Sequence, residues 1–325
     1  MNKTPQRRTF LALLAAAALP GAALAQEARR PTRIVVGFPP GGTVDQVARL
    51  YAEAMRASLG ASVIVENRSG AGGQIAADAV RQQPADGSTL LIANNHMMST
   101  LPLTTRSIKY DPINDFEPVS MVAAFEVVLV VSAKLGVKTF HDYVEAVRRQ
   151  PQNGSYGIPA PGSLPQFIGF SIGRKEHIST LAVPYQGAAP IVTDLLGNNL
   201  PAAVVTYASD LLEFHRAGKL RILASSGPRR LETLPDVPTF AELGYAGMDR
   251  SSWMGLFAPK GTPRSAIDPL NRAIAAAAAT PRLQGSLKSL GLAAATSTPD
   301  QLRQAIRDEL ATWAPVVKDS GYSAD

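Results

Sequence analysis

The sequence contains no cysteine, and this absence limits both its chemistry and its means of stabilisation. Without a thiol, no disulfide forms and no lipid can be attached at a signal-cleavage site. Cysteine-rich zinc sites are excluded, and the four histidines are scattered without the spacing of a metal cluster. We therefore expect no metal, no cofactor and a fold stabilised by packing alone.

Long apolar runs are also missing, because no stretch after Leu24 approaches the roughly 20 residues of a membrane span. Residues 1–25 instead have the layout of a secretory signal: a basic start, an apolar core of about ten residues and a small-x-small cleavage site. The pair Arg7-Arg8 also fits a twin-arginine signal, so the Sec and twin-arginine routes both stay open. We expect an exported, periplasmic protein without a membrane anchor.

The chain has little excess of charge of either sign. Once Lys3, Arg7 and Arg8 are removed with the signal, 29 basic residues face 26 acidic ones. This balance gives no reason to expect nucleic acid as a partner. The remaining length of about 300 residues is enough for two ordinary domains, and we expect a monomer.

Two matching loops are the strongest local feature. Gly37–Gln46 and Gly157–Gln166 each lead from a short apolar strand, through proline and glycine, towards a helix. Thr43 and Ser163 have a glutamine three residues later, which predicts a capping box at each helix start. Free N–H groups and the positive end of the dipole make such helix starts suitable for anions. One loop per lobe predicts a cleft that closes on a small carboxylate or phosphate.

Strands and helices alternate along both halves of the chain, which predicts an α/β protein with parallel sheets in two lobes. The first lobe is residues 26–124 together with 252–325, and the second is residues 125–251. The helices after Pro263 are expected to pack back on the first lobe. The chain then crosses between lobes near Ala123–Glu126 and Arg250–Trp253, which predicts a hinge with a ligand cleft beside it.

Two residues in these loops admit more than one role. Asp45, in a first helical turn, either complements the helix dipole or contacts a ligand and orders the loop. Ser163 resembles a nucleophile, but it lacks a Gly-x-Ser-x-Gly elbow and an assignable base, so capping is the better interpretation. The alternative to a binding protein is therefore a secreted hydrolase or transferase that acts on a small anionic substrate.

Ordered motifs along the whole mature chain resemble one family. They are Phe38–Asp45, Val65–Gly73, Pro84–Leu90, Val183–Gly187, Asp194–Gly197, Ala217–Arg221, Leu234–Thr239 and Ala258–Pro263. The chain is similar to the Bug family of periplasmic solute-binding proteins, which includes the substrate-binding components of tripartite tricarboxylate transporters.

The resemblance implies a two-lobed periplasmic-binding-protein type II fold, no catalytic residue, and delivery of a small organic acid to a membrane transporter or sensor. It also implies that backbone amides hold the ligand carboxylate. The expected ligand contacts combine both loops with polar residues that follow two further strands. They are Phe38, Pro40, Gly41, Gly42, Thr43, Asp45, Asn95, His96, Ala160, Gly162, Ser163, Leu164, Tyr207 and Asp210.

Selectivity is expected to come from Asn95, His96, Tyr207 and Asp210, because loop amides treat every carboxylate alike. Neither loop supplies a lysine or arginine. A ligand with several charges would leave at least one poorly paired in a closed cleft. The sequence therefore favours a mono- or dicarboxylate over citrate.

Overall fold

The computed structural model describes residues 31–324 as a mixed α/β protein with two β-sheets. The predicted signal segment, residues 1–25, lies outside the described residues. Within residues 31–324, no helix is both long enough and apolar enough to cross a membrane.

Eleven strands in residues 31–324 form a six-stranded and a five-stranded sheet. The first sheet contains β1 (Thr32–Val36), β2 (Val63–Asn67), β3 (Thr89–Asn94), β4 (Phe116–Phe125), β10 (Ser252–Pro259) and β11 (Ala293–Ala294). The second contains β5 (Val127–Ser132), β6 (Ser155–Ile158), β7 (Leu181–Pro184), β8 (Ala202–Thr206) and β9 (Leu220–Ser225).

Helices cover both faces of each sheet. They are α1 (Thr43–Leu59), α2 (Gln74–Arg81), α3 (Leu101–Thr104), α4 (Phe140–Arg149), α5 (Leu164–Glu176), α6 (Ala188–Leu196), α7 (Ser209–Arg216), α8 (Arg264–Ala278), α9 (Pro281–Ser289) and α10 (Pro299–Ser320). A π-helical turn, His96–Thr100, precedes α3.

Helix α1 shows how the sequence pattern produces the structure. Val44, Val47, Tyr51 and Met55 recur at helical spacing, and all four are buried against the first sheet. The helix ends at Gly60, whose φ of 60° is the left-handed conformation that glycine adopts without strain. The predicted burial and end of this helix are confirmed, but its N-cap is Gly42 and not the predicted Thr43.

The predicted all-parallel arrangement is wrong for both sheets. In the first, β1 pairs in parallel with β2 and β3, but β10 runs antiparallel to β3 and β4. In the second, β5 runs antiparallel to β8 and β9, while β6 pairs in parallel with β7 and β8. The physical reason is the crossing itself, since a strand that leaves a lobe must run against the strand that returns to it.

The crossing also brings one edge of the first sheet next to one edge of the second. Strand β4 ends at Phe125, and β5 begins at Val127 after the single residue Glu126. From the strand registers, the carboxyl ends of β1, β2 and β3 share the edge of the first sheet where β4 ends. The carboxyl ends of β6, β7, β8 and β9 share the edge of the second sheet where β5 begins. Loops from both sets of strand ends therefore meet at the crossing.

The last helices divide between the lobes. Helices α8 and α9 pack with α1 in the core of the first sheet, as predicted. Helix α10 does so only in its first half, where Leu302 and Ile306 join a core cluster of the first sheet. Trp313 and Val317, in its second half, belong to a core cluster of the second sheet. The expectation that α10 packs on the first lobe alone is therefore wrong, and α10 forms a third link between the lobes.

Candidate ligand-binding site

The first loop is held by side chains from the helix that follows it. Gly41, with a φ of 83°, donates its N–H to Asp45 Oδ2 at 2.9 Å, and its carbonyl accepts from Gln46 Nε2 at 2.8 Å. Gly42 is the N-cap of α1. The predicted capping box between Thr43 and Gln46 is therefore wrong, because Gln46 reaches back to the glycine carbonyl instead of the N-cap N–H.

Asp45 is the centre of a small charged network. It is 1% exposed, accepts from Arg49 Nε at 2.8 Å through Oδ2, and accepts from Asn67 Nδ2 at 2.8 Å through Oδ1. Burial raises the pKa of Asp45, but the hydrogen bonds from Arg49, Gly41 and Asn67 outweigh burial and bring the pKa to about 2. The Asn67 amide also donates to Phe38 O at 3.1 Å. These contacts favour the loop-ordering role of Asp45.

Arg49 and Asn67 support this loop but are not among the residues predicted from the sequence. Arg49 follows Asp45 by four residues, which is the spacing of a helical ion pair and could have indicated the contact. Asn67 lies at the end of β2, and only the parallel pairing of β1 with β2 brings it beside the loop.

The second loop repeats this plan with neutral groups. Gly162, with a φ of 67°, donates its N–H to Gln166 Oε1 at 2.7 Å. Ser163 is the N-cap of α5, but its hydroxyl donates to Ala160 O at 2.6 Å. The predicted capping box of Ser163 with Gln166 is thus wrong in its bonding, since Gln166 holds the N–H of Gly162. A hydroxyl whose proton is directed to a carbonyl does not donate it to a general base, which is the contact that would activate a serine nucleophile.

The two loop glycines differ in their surroundings. A side chain at Gly41 would point into open space among the described residues, and Gly41, Gly42 and Thr43 are all exposed. At Gly162 a Cβ would lie 3.2 Å from Tyr322 Cε1 and 3.3 Å from Thr104 Oγ1. The first loop is accordingly open, whereas the second packs against α3 and the residues after α10.

The end of β3 leads into the π-helical turn, a conformation frequently found at functional sites. Asn95 is 6% exposed, and His96 Nδ1 lies 2.8 Å from Thr100 Oγ1. Burial lowers the pKa of His96 to about 4, so the ring is neutral at physiological pH. His96 can therefore offer a ligand a hydrogen bond without a positive charge.

The end of β8 places two further predicted contacts beside the crossing. Tyr207 donates its N–H to Glu126 O at 2.7 Å, and its hydroxyl lies 2.7 Å from Thr233 Oγ1. Asp210 is exposed in the first turn of α7, where its carboxylate accepts from Leu211 N at 2.8 Å. Of these two residues, Tyr207 is the one bonded directly to a crossing residue.

A cavity of about 20 Å³, here called the junction cavity, lies where the lobes meet. Its walls come from both sheets' helices and from the second crossing. The lining residues are Asn95, Leu164, Ile168, Ser226, Gly247, Met248, Arg250, Ser251, Ser252, Glu309, Thr312 and Trp313. Asn95 and Leu164 are the two predicted ligand contacts that it brings together. It has room for about one water molecule and is too small for an organic acid.

A larger open cavity of about 500 Å³ lies at the other end of the second sheet. Ser132, at the carboxyl end of β5, and Pro201, just before β8, both line it. Because the strand registers place these ends opposite the crossing, this cavity is remote from every predicted ligand contact. Within residues 31–324, no group of three or more His, Asp or Glu side chains is placed to hold a metal ion.

Comparison with known proteins gives the same architecture. A family model described as "Tripartite tricarboxylate transporter family receptor" matches residues 47–322. Protein BugT of Bordetella pertussis is 36% identical over 293 residues, which is 90% of each chain. An R. palustris protein solved with adipate shares 32% identity with a TM-score of 0.77, over 91% of this chain and 98% of that one. MatC from Rhodopseudomonas palustris, solved with bound malate, shares 28% identity with a TM-score of 0.74, over 89% and 99%.

Proposed function

Because this chain belongs to the tripartite tricarboxylate transporter receptor family, we propose that it captures a small organic carboxylate between its lobes and delivers it to a membrane transporter or sensor. It is a two-lobed solute-binding protein rather than an enzyme, and it works outside the cytoplasm. The proposal concerns the ligand, the residues that hold it and the partners that receive it.

One observation carries the ligand class. The candidate contacts follow the carboxyl ends of β1, β3, β6 and β8, which are the edges that meet at the crossing. Two of these strand ends open into helices α1 and α5, whose first-turn N–H groups lack intrahelical partners. Backbone donors of this kind suit a carboxylate and do not require a charged side chain.

The charges near the loops support a ligand with few negative groups. Asp45 and Arg49 neutralise each other beside the first loop, and His96 is neutral. Arg250 lines the junction cavity, but its guanidinium is paired with Asp308 Oδ2 at 2.5 Å. The mono- or dicarboxylate favoured by the sequence therefore stays our proposal. The adipate and malate of the two solved relatives are dicarboxylates and make suitable probes.

The proposed lobes are residues 26–124 with 252–325, and residues 125–251, joined at a hinge. The water-sized junction cavity supports opening of this hinge before a ligand enters, since an organic acid needs more room at the interface. We further propose that residues 1–25 are the export signal and that the mature chain acts as a monomer.

Calorimetry of the mature chain with adipate, malate, hexanoate and citrate tests the proposed ligand class. We expect one site per chain, with tighter binding of a mono- or dicarboxylate than of citrate. Native mass spectrometry should then recover the bound acid unchanged. Tight binding of citrate with weak binding of the other acids would contradict the charge argument, and chemical conversion of a bound acid would favour the hydrolase or transferase.

A further inference from the structure

Helix α10 carries a buried carboxyl group at the point where it passes from one lobe to the other. Glu309 lies between Ile306, which packs on the first sheet, and Trp313, which packs on the second. Glu309 is 8% exposed and lines the junction cavity. Neither loop contains Glu309, so the ligand contacts predicted from the sequence do not account for this buried group.

Three residues from two other elements converge on this carboxyl group. Trp253, in β10 just after the second crossing, donates Nε1–H to Oε1 at 2.6 Å. Ser99, in the π-helical turn after β3, places its hydroxyl 2.7 Å from Oε2. The Asn95 side chain also lies near Glu309, where it lowers the pKa of the carboxyl group. Glu309 thus joins α10 to the end of β3 and to the returning strand.

The hydrogen positions available to Ser99 favour a protonated carboxyl group. Ser99 Oγ lies 2.6 Å from Asn95 O and 2.7 Å from Glu309 Oε2, but a hydroxyl has only one proton to donate. If that proton goes to Asn95 O, the other contact is satisfied only when Glu309 donates its own proton to Ser99. The neutral acid then uses both of its oxygens, with Oε1 accepting from Trp253.

The surrounding charges agree with this assignment. Burial raises the pKa of Glu309 to about 7, against the opposing effect of its hydrogen bonds and of Arg250. Arg250 is itself paired with Asp308, and His96 on the same turn is neutral. The nearby carboxyl group of Glu126 bonds to Ser226 and Ser251, and burial raises its pKa as well.

We infer that Glu309 is a positioning residue for the ligand site. As a neutral acid it ties Asn95 and Trp253 to α10 at the junction cavity. When Glu309 ionises, these contacts loosen and carboxylate capture weakens. The inference rests on the proposed function for its ligand. An ionised Glu309 would leave Ser99 facing two acceptors and would place a negative charge beside a site for anions.

The expected pH dependence follows from the sign of this shift. The pKa of Glu309 in the folded protein lies above its ordinary value of 4.5, so folding favours the protonated form. The contribution of Glu309 to the free energy of unfolding is therefore lost as pH rises through about 7. If only the neutral form is competent, about one chain in eleven is competent one pH unit above the pKa. Affinity for adipate or malate should therefore fall about tenfold from about pH 6 to about pH 8.

The test compares wild type, Glu309→Gln and Glu309→Ala by calorimetry with adipate and malate across this pH range. Glutamine can accept from Trp253 and donate to Ser99 as the neutral acid does. We expect Glu309→Gln to keep the wild-type affinity at about pH 6 within about twofold and to bind equally well at about pH 8. Glu309→Ala should bind weakly at both values, so rescue by glutamine separates positioning from mere folding.

Two matched variants serve as controls. Asp300→Asn changes an exposed carboxyl group of the same helix, and Glu126→Gln changes the half-buried carboxyl group at the crossing. Both should keep the wild-type pH slope. A flat wild-type profile, an unchanged slope in Glu309→Gln, or loss of the slope in Glu126→Gln would overturn the inference.

Tryptophan emission of the ligand-free protein makes this result independent of the proposed ligand. Trp253 bonds directly to Glu309, so its emission should titrate near pH 7 in wild type and stay constant in Glu309→Gln. If neither acid bound wild type, the proposed function would fail for these ligands, whereas the contact between Glu309 and Trp253 would still be tested separately. The emission titration would still show whether Glu309 holds Trp253.

Discussion

The two helix-entry loops share a backbone plan but differ in what holds them. In each, a glycine of positive φ donates its N–H to a side chain four residues later, which is Asp45 in the first loop and Gln166 in the second. The first acceptor is an ionised group paired with Arg49, whereas the second is a neutral amide. The same turn is therefore fixed by a charged network on one side of the cleft and by neutral hydrogen bonds on the other.

The loops also differ in exposure, and the loop with the charged network is the more exposed one. The first loop is exposed around Gly41 and Gly42, while Gly162 and Ser163 are buried against α3 and the chain after α10. A loop without packing partners needs internal bonds to hold its shape, and a packed loop is held by its neighbours. We propose from this difference that the first loop is the accessible anchor for a ligand, while the second packs against α3 and the chain after α10.

The largest expected effect distinguishes the loops as ligand anchors. Gly42→Val should reduce affinity for a dicarboxylate by more than about 100-fold, because a branched side chain blocks close approach to the exposed helix start. Ser163→Ala should cost less than about tenfold, since the backbone N–H groups remain. Calorimetry measures both effects. Gly285→Val, at an open helical position of α9, is the control. Normal affinity in a folded Gly42→Val protein would contradict the role of the first loop.

The next effect compares Asp45 and Gln166, the two side chains that accept a hydrogen bond from a loop glycine. Asp45→Ala should lower the free energy of unfolding by about 2–3 kcal/mol, because it removes the charged acceptor of the hydrogen bonds from Gly41, Arg49 and Asn67. Gln166→Ala removes a neutral hydrogen bond and should cost about 1 kcal/mol. Urea unfolding at neutral pH gives both values. Equal losses would show that the charged network adds nothing to the first loop.

Low pH should weaken the stabilisation by Asp45 but not that by Gln166. The folded pKa of Asp45, about 2, lies below its ordinary 3.8, so its stabilisation is complete above that ordinary value and is lost as pH falls through about 2. The contribution at neutral pH is about 2 kcal/mol. The destabilisation caused by Asp45→Asn should shrink between about pH 5 and about pH 2, whereas that of Gln166→Ala should stay constant. Unfolding curves across this range give the comparison, and parallel behaviour of the two variants would refute it.

The smallest effect concerns the glycines themselves. Gly41→Ala should cost about 1 kcal/mol, which is the strain of a positive φ in a site with free space. Gly162→Ala carries the same strain and adds close contacts with Thr104 and Tyr322, so it should cost about 1 kcal/mol more. Adding Tyr322→Ala should relieve part of the extra cost. If the two single variants are equally stable, the second loop is not packed as described.

Local pattern was a sound guide to the elements but not to their directions. Helix α1 was predicted from its apolar spacing and its terminal glycine, both of which act within a few residues. Strand β4 was missed, and the antiparallel pairing of β10 was not anticipated. Periodicity reports which side chains are buried, but it does not report which strand lies beside them.

The bonding inside the loops shows the same limit. The sequence pointed to both loops and to Asp45 and Gln166, but it assigned the glutamines to capping boxes with Thr43 and Ser163. In the structure Gln46 bonds to Gly41 O and Gln166 to Gly162 N instead. A side chain three residues into a helix can bond to the N-cap or to the residue before it. The positive φ of Gly41 and Gly162 decides the outcome by turning their N–H groups towards the helix.

By itself, the sequence determined the alternation of strands and helices, the two glycine-containing helix starts and the shortage of positive charge around them. These depend on residues close in the chain, whose spacing fixes their conformation. Only the tertiary structure decided that Asn67 supports the first loop, that α10 links both lobes, and that Glu309 meets Ser99 and Trp253. Ser99 and Glu309 are 210 residues apart. Their contact exists because two sheets meet at one crossing, and the spacing of residues within one helix or strand does not indicate contacts between distant segments.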